Sequence, residues 1–411
     1  MNKKITKKIA AGVLSVLVFG SQIPSGSAAF CGQKYLLSES RLKKVTEKDE
    51  IKLKGIFDVP GLKGALDDYL FHRYNHHFNC FIRDNVKLGC DKKGSVFVKV
   101  QNKCFDLAYD KLVDEKTGEI EEIEIPYCIK KIDSHVFENI LKKANAQGKK
   151  IKRVILPECL KSAADDVFAN VSVDSVVFKS QSSEKLFGHA CDGATADIFK
   201  DALKIGAVFV PKRFEEETKE ELKNRGIKVF QDFELKSAFN IEGLKEAIMD
   251  ALANNKRIEF EVCEDLTPAL FVGDKKFQPD YSKLKDEKTG KIENLELPYG
   301  ISEISSPVIH YMCRKCDGLN VSEVGRIVIP DTVKTICDGA LHYLDARHVI
   351  LSKNLNCLNY EAFGHVFRMV GGKNIFLGRN SCRIKEITTP GSWELMLKRV
   401  FKNNEIAINV M

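Results

Sequence analysis

Residues 154–168 read Val-Ile-Leu-Pro-Glu-Cys-Leu-Lys-Ser-Ala-Ala-Asp-Asp-Val-Phe, and the same spacing recurs elsewhere in the chain. An apolar-x-apolar strand ends in Pro or its substitute, and apolar or small residues follow at three, six, ten and eleven places on. Ile123-Glu124-Ile125-Pro126 leads to Ile129, Ile132, Val136 and Phe137, and Val154-Ile155-Leu156-Pro157 leads to Leu160, Ala163, Val167 and Phe168. Leu295-Glu296-Leu297-Pro298 leads to Ile301, Ile304, Val308 and Ile309, and Ile327-Val328-Ile329-Pro330 leads to Val333, Ile336, Ala340 and Leu341. Val349-Ile350-Leu351-Ser352 leads to Leu355, Leu358, Ala362 and Phe363. Such a pattern marks a stacked array, in which a short unit buries its apolar side only against its neighbours.

The spacing of the rungs is itself repeated. The strand ends at Pro126, Pro157 and Lys179 in the first group and at Pro298, Pro330 and Ser352 in the second, so the first interval in each group is longer by nine or ten residues. Further rungs at Val176 to Lys179 and Ile375 to Gly378 keep the strand and lose the trailing positions, as terminal units of an array do.

The groups lie inside a larger duplication. Tyr109 to Tyr127 matches Tyr281 to Tyr299, and Phe57 to Leu70 matches Phe239 to Leu252, both of the latter with the apolar spacing of amphipathic helices. Pro211 to Val229 matches Pro390 to Ile408, each a Pro, a helical stretch and a β-like end. The tetrapeptides Glu115 to Gly118 and Glu287 to Gly290 read as hairpin turns, with Gly supplying positive φ. The fold class expected is α+β: two modules, 55–236 and 237–411, each a helix and hairpin packed on a short β stack, with cap helices at about Glu215 to Asn224 and Trp393 to Asn403.

The strand-Pro motif followed by Val/Ile-x-x-Ile-x-x-x-Ala/Val-Phe resembles the leucine-rich repeats of the BspA-like family of secreted and surface proteins. The resemblance spans roughly residues 120–210 and 292–390. It implies protein–protein binding, often to host or matrix proteins, rather than catalysis. It carries over no site residue, because the motif positions build the core.

Lys3, Lys4, Lys7 and Lys8 precede an apolar run from Ile9 to Ile23, and Ser27-Ala28-Ala29 gives a small-x-small cleavage site before Phe30. Residues 1–29 therefore read as a secretion signal and 30–54 as a polar lead-in. The apolar run is shorter than the roughly 20 residues a membrane span requires, and no later stretch is long enough. The formal charge of +7 includes those signal lysines. The remaining lysines and acids are interspersed, without the basic stripe that nucleic acid would require. Export permits disulfides among the 13 cysteines, and the odd number leaves at least one without an internal partner.

Three constellations carry residue types suited to chemistry. Asp68, His72, His76 and Cys80 recur at helical spacing with His77 adjacent, but the matching stretch of the second module carries Asp250, Asn254, Asn255 and Lys256, so no metal site is assigned. Cys313-Arg314-Lys315-Cys316 has no second pair to complete a zinc ribbon and reads as a loop disulfide or two structural thiols. Cys128 and Cys159 occupy the same place in successive rungs and should be neighbours, either bridged or serving as small fillers. No G-x-S-x-G, H-E-x-x-H, P-loop or dinucleotide fingerprint occurs, and no cofactor is expected.

The expected function is binding of a protein ligand by an exported or surface protein. The alternatives are a hydrolase of envelope polymers or host glycans and a structural envelope component. The expected binding residues are those between the inward positions of each rung strand: Glu296, Val328, Ile350 and Phe376, and in the first module Glu124, Ile155 and Val177. Side chains alternate across a strand, so these form a ladder on the outward face, either open or covered by the module's own helix or hairpin.

Overall fold

Proline lacks the N–H that a sheet ladder needs, so it stands where a strand leaves its sheet. Pro126, Pro157 and Pro330 each accept a hydrogen bond on their carbonyl from the residue three places on, Ile129, Leu160 and Val333, closing a turn after the strand. The chain then enters a two-residue strand in a second sheet. The computed structural model describes residues 53–75, 86–110, 112–114, 117–145, 150–179, 197–305, 307–317, 323–359, 362–363, 367–370, 373–376, 383–401 and 406–411. The signal, nearly all of the lead-in, His76, His77 and Cys80 lie outside the described residues.

In the first half, helix α1 (Leu62–Asn75) buries Leu62, Leu66, Tyr69 and Leu70, the i, i+4, i+7, i+8 stripe of an amphipathic helix. Strands β1 (Val86–Cys90), β2 (Val96–Val100) and β3 (Lys103–Asp106) form an antiparallel meander. The rungs follow as β4 (Ile120–Glu124), β5 (Lys131–Ile132), helix α2 (Val136–Lys143), β6 (Lys150–Leu156), β7 (Ser162–Ala163), β8 (Ser172–Phe178) and β9 (Lys204–Val210). Helix α3 (Glu215–Leu222) leads to β10 (Lys228–Gln231). The long rung strands form one parallel sheet in the order β10-β9-β8-β6-β4, and the short ones extend the meander as β3-β2-β1-β5-β7. Between the sheets the rung phenylalanines stack: Phe137 on Phe168 at 4.7 Å and Phe168 on Phe199 at 5.4 Å between ring centroids.

The second half runs in the same order. Helix α4 (Leu244–Ala253) precedes the meander β11 (Ile258–Val262), β12 (Pro268–Val272) and β13 (Lys275–Phe277). Next come β14 (Asn294–Glu296), β15 (Glu303–Ile304), helix α5 (Val308–Asp317), β16 (Val324–Val328), β17 (Thr335–Ile336), β18 (Asp345–Ile350) and β19 (Cys357–Leu358). The hairpin β20 (Phe367–Val370) and β21 (Lys373–Phe376) precedes β22 (Arg383–Thr389), helix α6 (Gly391–Val400) and β23 (Ala407–Val410). The sheets are β13-β12-β11-β15-β17-β19 and the parallel β14-β16-β18-β22-β23. From Ile51 to Met411 the chain is one compact unit.

Four local expectations change. The nine- or ten-residue excess in each first interval is a helix, α2 or α5. The Glu-Lys-Thr-Gly segments end on Gly118 and Gly290 at positive φ, and Asp114 and Asp286 accept from the N–H groups of Thr117, Lys288 and Thr289. They do not join two strands, however. Among the described residues the bridge Val113–Ile120 alone flanks the first, and Tyr281–Lys283 before the second is a 3-10 turn. The meanders β1–β3 and β11–β13 supply the β-hairpins instead. Finally, α3 and α6 are crossovers that each deliver a further parallel strand, β10 or β23, rather than lids over the last rung.

The fourth change concerns Ile375 to Gly378. Ile375 lies in β21, paired antiparallel with Arg368 of β20, and the rung place beside β18 belongs to β22. Gly371-Gly372 between two short apolar runs favours a local hairpin, which competes with an array register that must be reached from far along the chain.

Candidate binding face

The residues between the inward positions do form registered ladders. On the first parallel sheet, Glu124, Ile155, Val177, Phe209 and Phe230 lie side by side. On the second, the row is Glu296, Val328, Ile350, Thr388 and Asn409. Phe376 is not in it. Its backbone pairs with Phe367 in the β20–β21 hairpin, and Thr388 takes the place beside Ile350.

The two faces differ in what lies on them. On the first sheet, Val177 and Phe209 are buried and join a core cluster with Leu244, Ala247, Ile248, Met249 and Ala251 of α4, and Ile155 packs against it. Helix α4 lies across β8 and β9. The cover is thus the helix of the other half, not the module's own helix or hairpin. Polar groups fix its placement. Arg153, with a side chain only 7% exposed, donates from Nη2 to Asp250 Oδ1 at 2.6 Å and to the Glu246 carbonyl at 3.2 Å, and from Nη1 to Glu122 at 3.1 Å. Lys152 Nζ lies 3.4 Å from the other oxygen of Asp250, and Lys228 Nζ donates to the Ala253 carbonyl near the C-terminus of α4. At the same seam, Tyr299 stacks on Phe233 at 5.1 Å and accepts from the Gln231 N–H, and burial pushes its hydroxyl pKa up to about 12.

On the second sheet Val328, Ile350 and Thr388 are only half-buried, and Arg326, in the place of Arg153, is exposed. The rim is polar: Lys236 pairs with Glu296 at 2.9 Å, His348 Nε2 lies 2.8 Å from Thr388 Oγ1, and Asn409 donates to Glu386 at 2.6 Å. On the first sheet Glu124 is held between Lys179 and Lys54. Burial works against its ionisation, but the two lysines outweigh that and hold the carboxyl below the usual range. The arrangement is a short apolar strip with a charged rim.

The other candidates do not converge on chemistry. Asp68 is exposed on α1, whose span also includes His72. Among the described residues, no three His, Cys, Asp or Glu side chains are grouped to hold a metal. The Cys313-x-x-Cys316 pair stands on α5, not in a loop; Cys313 is buried, and Cys316 Sγ donates to the Tyr281 carbonyl at 3.7 Å. Cys128 and Cys159 are neighbours, as their rung positions require: the Cys128 N–H donates to Cys159 Sγ at 2.9 Å. The equivalent place in the second half has the Gly300 N–H donating to Thr332 Oγ1 at 3.0 Å.

The family model described as "BspA type Leucine rich repeat region" matches six copies, over residues 114–190 and 319–370. The chain carries BspA-type leucine-rich repeats. No curated protein matches it. Among solved structures it is similar to a leucine rich cell surface protein from Faecalibacterium prausnitzii A2-165, at 10% identity over 78% of this chain and 94% of that one, with a TM-score of 0.18. It is also similar to the pneumococcal vaccine antigen PcpA, at 11% identity over 80% of this chain and 90% of that one, with a TM-score of 0.12. Both likenesses are too distant to bear on function. No helix among the described residues is long and apolar enough to cross a membrane.

The residues that decide which face is covered, Arg153 and Asp250, were not singled out from the sequence. A signal was present: Arg153 and Arg326 each stand one place before the apolar-x-apolar run of a rung, and Asp250 and Asp68 fall at the same place in the matched helices. Strand β22 was also missed, although Ile387-Thr388-Thr389-Pro390 has the strand-Pro ending.

Proposed function

We propose that this is an exported, surface-exposed BspA-type repeat protein that acts by binding a protein ligand, in adhesion or in contact with host or matrix proteins. The ligand docks on the outward face of β14-β16-β18-β22-β23, through Val328 and Ile350 with Glu296 at the rim. The observation that carries this reading is the contrast between the two sheets. Under α4, Val177 and Phe209 are buried, whereas Ile350 and Thr388, at the equivalent places, are half-buried; Ile155 and Val328 are half-buried alike. An accessible apolar strip with a polar rim has the make-up of a partner site. Ile155 and Val177, under α4, belong to the seam between the halves.

In this reading residues 1–29 are removed on export, and 55–236 and 237–411 are two copies of one module. The test is capture by the exported chain of purified matrix proteins and of bacterial wall fractions. Saturable binding to a protein that is lost on Val328→Lys with Ile350→Lys supports the proposal. Binding only to wall polymer, or turnover of a glycan, contradicts it.

A further inference from the structure

The seam inside the chain shows what fits on such a face. Helix α4 sits on the first parallel sheet, anchored by Asp250 on Arg153 at 2.6 Å. Both partners of that seam have an equivalent elsewhere in the chain. Aligning Phe57 to Leu70 with Phe239 to Leu252 places Asp68 at the position of Asp250, and aligning residues 153–157 with 326–330 places Arg326 at the position of Arg153. Asp68 and Arg326 are both exposed, and neither side chain has a hydrogen-bond or ion-pair partner among the described residues.

The surroundings agree. Where α4 presents buried Ala247 and Met249 to the seam, α1 presents half-buried Ala65 and Asp67, with Gly64 exposed beside them. Asp68 would meet the opposite charge of Arg326, which stands in one row with His348 and Glu386, while Asp67 lies 3.9 Å from Lys63 on its own helix. The second contact of the seam also has its counterpart. The Tyr299 hydroxyl accepts from the Gln231 N–H inside the chain. The equivalent positions are Tyr127 and Val410, which are 37% and 50% exposed. Two large apolar side chains thus stand accessible at the places that meet in the internal seam.

We infer that the outward face of β14-β16-β18-β22-β23 takes helix α1 of a second copy of this chain, with Asp68 of one copy paired to Arg326 of the next. This rests on the proposal that the face is a protein-binding site, and it assigns that face a second copy of this chain as an occupant distinct from the matrix protein. The two surfaces are different, so the contact is heterologous: repeated head to tail, it builds a linear chain of molecules or closes into a ring.

Sedimentation velocity of the exported full chain over a concentration series tests this. The expected result is concentration-dependent association that Arg326→Asp weakens by more than about tenfold and Asp68→Arg weakens equally. Mixing the two variants, each weakly associating alone, should restore association, because the unaltered Asp68 of one meets the unaltered Arg326 of the other. Both positions are exposed, and unchanged thermal unfolding of each variant will show that folding is intact. A chain that stays monomeric at its highest soluble concentration overturns the inference, as does association indifferent to both substitutions. Neither outcome touches the proposed function if Val328→Lys with Ile350→Lys still abolishes capture of a matrix protein. Failure of that capture with self-association intact rejects the matrix-binding reading alone.

Discussion

Replacing Arg153 and Arg326 in turn by Met compares one rung position in two settings. Arg153 lies under α4 and gives three hydrogen bonds, two to carboxylates and one to a backbone carbonyl. Met keeps most of the aliphatic packing, so the loss falls on the polar contacts. Each hydrogen bond to a charged group contributes roughly 1.5–3 kcal/mol. Part of that is recovered, because Asp250 and Glu122 keep 26% and 35% side-chain exposure and water can reach them. Lys152 also remains beside Asp250. The Arg153 Nε atom is buried without a partner, so removing it costs nothing. The net expectation is a loss of about 2 kcal/mol for Arg153→Met. For Arg326→Met, at an exposed position, the change should stay within about 0.5 kcal/mol. Urea unfolding followed by circular dichroism reads both as shifts in midpoint. Equal effects of the two substitutions would refute the assignment of one covered and one accessible face.

Gly300 sits at φ +102°, and a Cβ there would meet Ile258 Cδ1 at 2.9 Å and Ile248 Cγ2 at 3.0 Å. Gly300→Ala should therefore destabilise by about 1–3 kcal/mol, measured by the same unfolding curves. Burial, then the hydrogen bond and charge of Glu303, push the Cys337 thiol up to about 11. At pH 8 Cys337 should alkylate more slowly than exposed Cys104 and Cys357, and Glu303→Gln should speed it; mass spectrometry of labelled peptides reads both. Mass spectrometry of the exported protein should find Phe30 at its N-terminus, and intact Met1 on membrane-bound material would count against cleavage.

The rung pattern was legible because it is a packing rule: Ile123, Ile129, Ile132, Val136 and Phe137 are all buried, and each was marked by its offset from Pro126. The outward alternation was legible for the same reason, giving the ladders from Glu124 to Val177 and from Glu296 to Ile350 in correct register. What sequence spacing could not supply was the partner across a face. Whether Val177 or Ile350 is sealed depends on where α4 comes to rest, and that is decided by long-range pairs such as Arg153 with Asp250. Phe376 failed for a related reason, since its local pattern suits a rung and a hairpin equally well. The meander β1–β3 was readable but passed over, although Val86 and Leu88, then Val96, Val98 and Val100, alternate around Asp91-Lys92-Lys93-Gly94.

The claim that the second parallel sheet presents an accessible binding strip is tested most directly by the double substitution Val328→Lys with Ile350→Lys, set beside the single substitution Val177→Lys. With the face accessible, the double variant should unfold as cooperatively as the parent, within about 1 kcal/mol, while losing its protein ligand. Val177→Lys, which buries a charge under α4, should lose on the order of several kcal/mol. Loss of cooperative unfolding in the double variant would mean that the strip is covered, and would contradict the account.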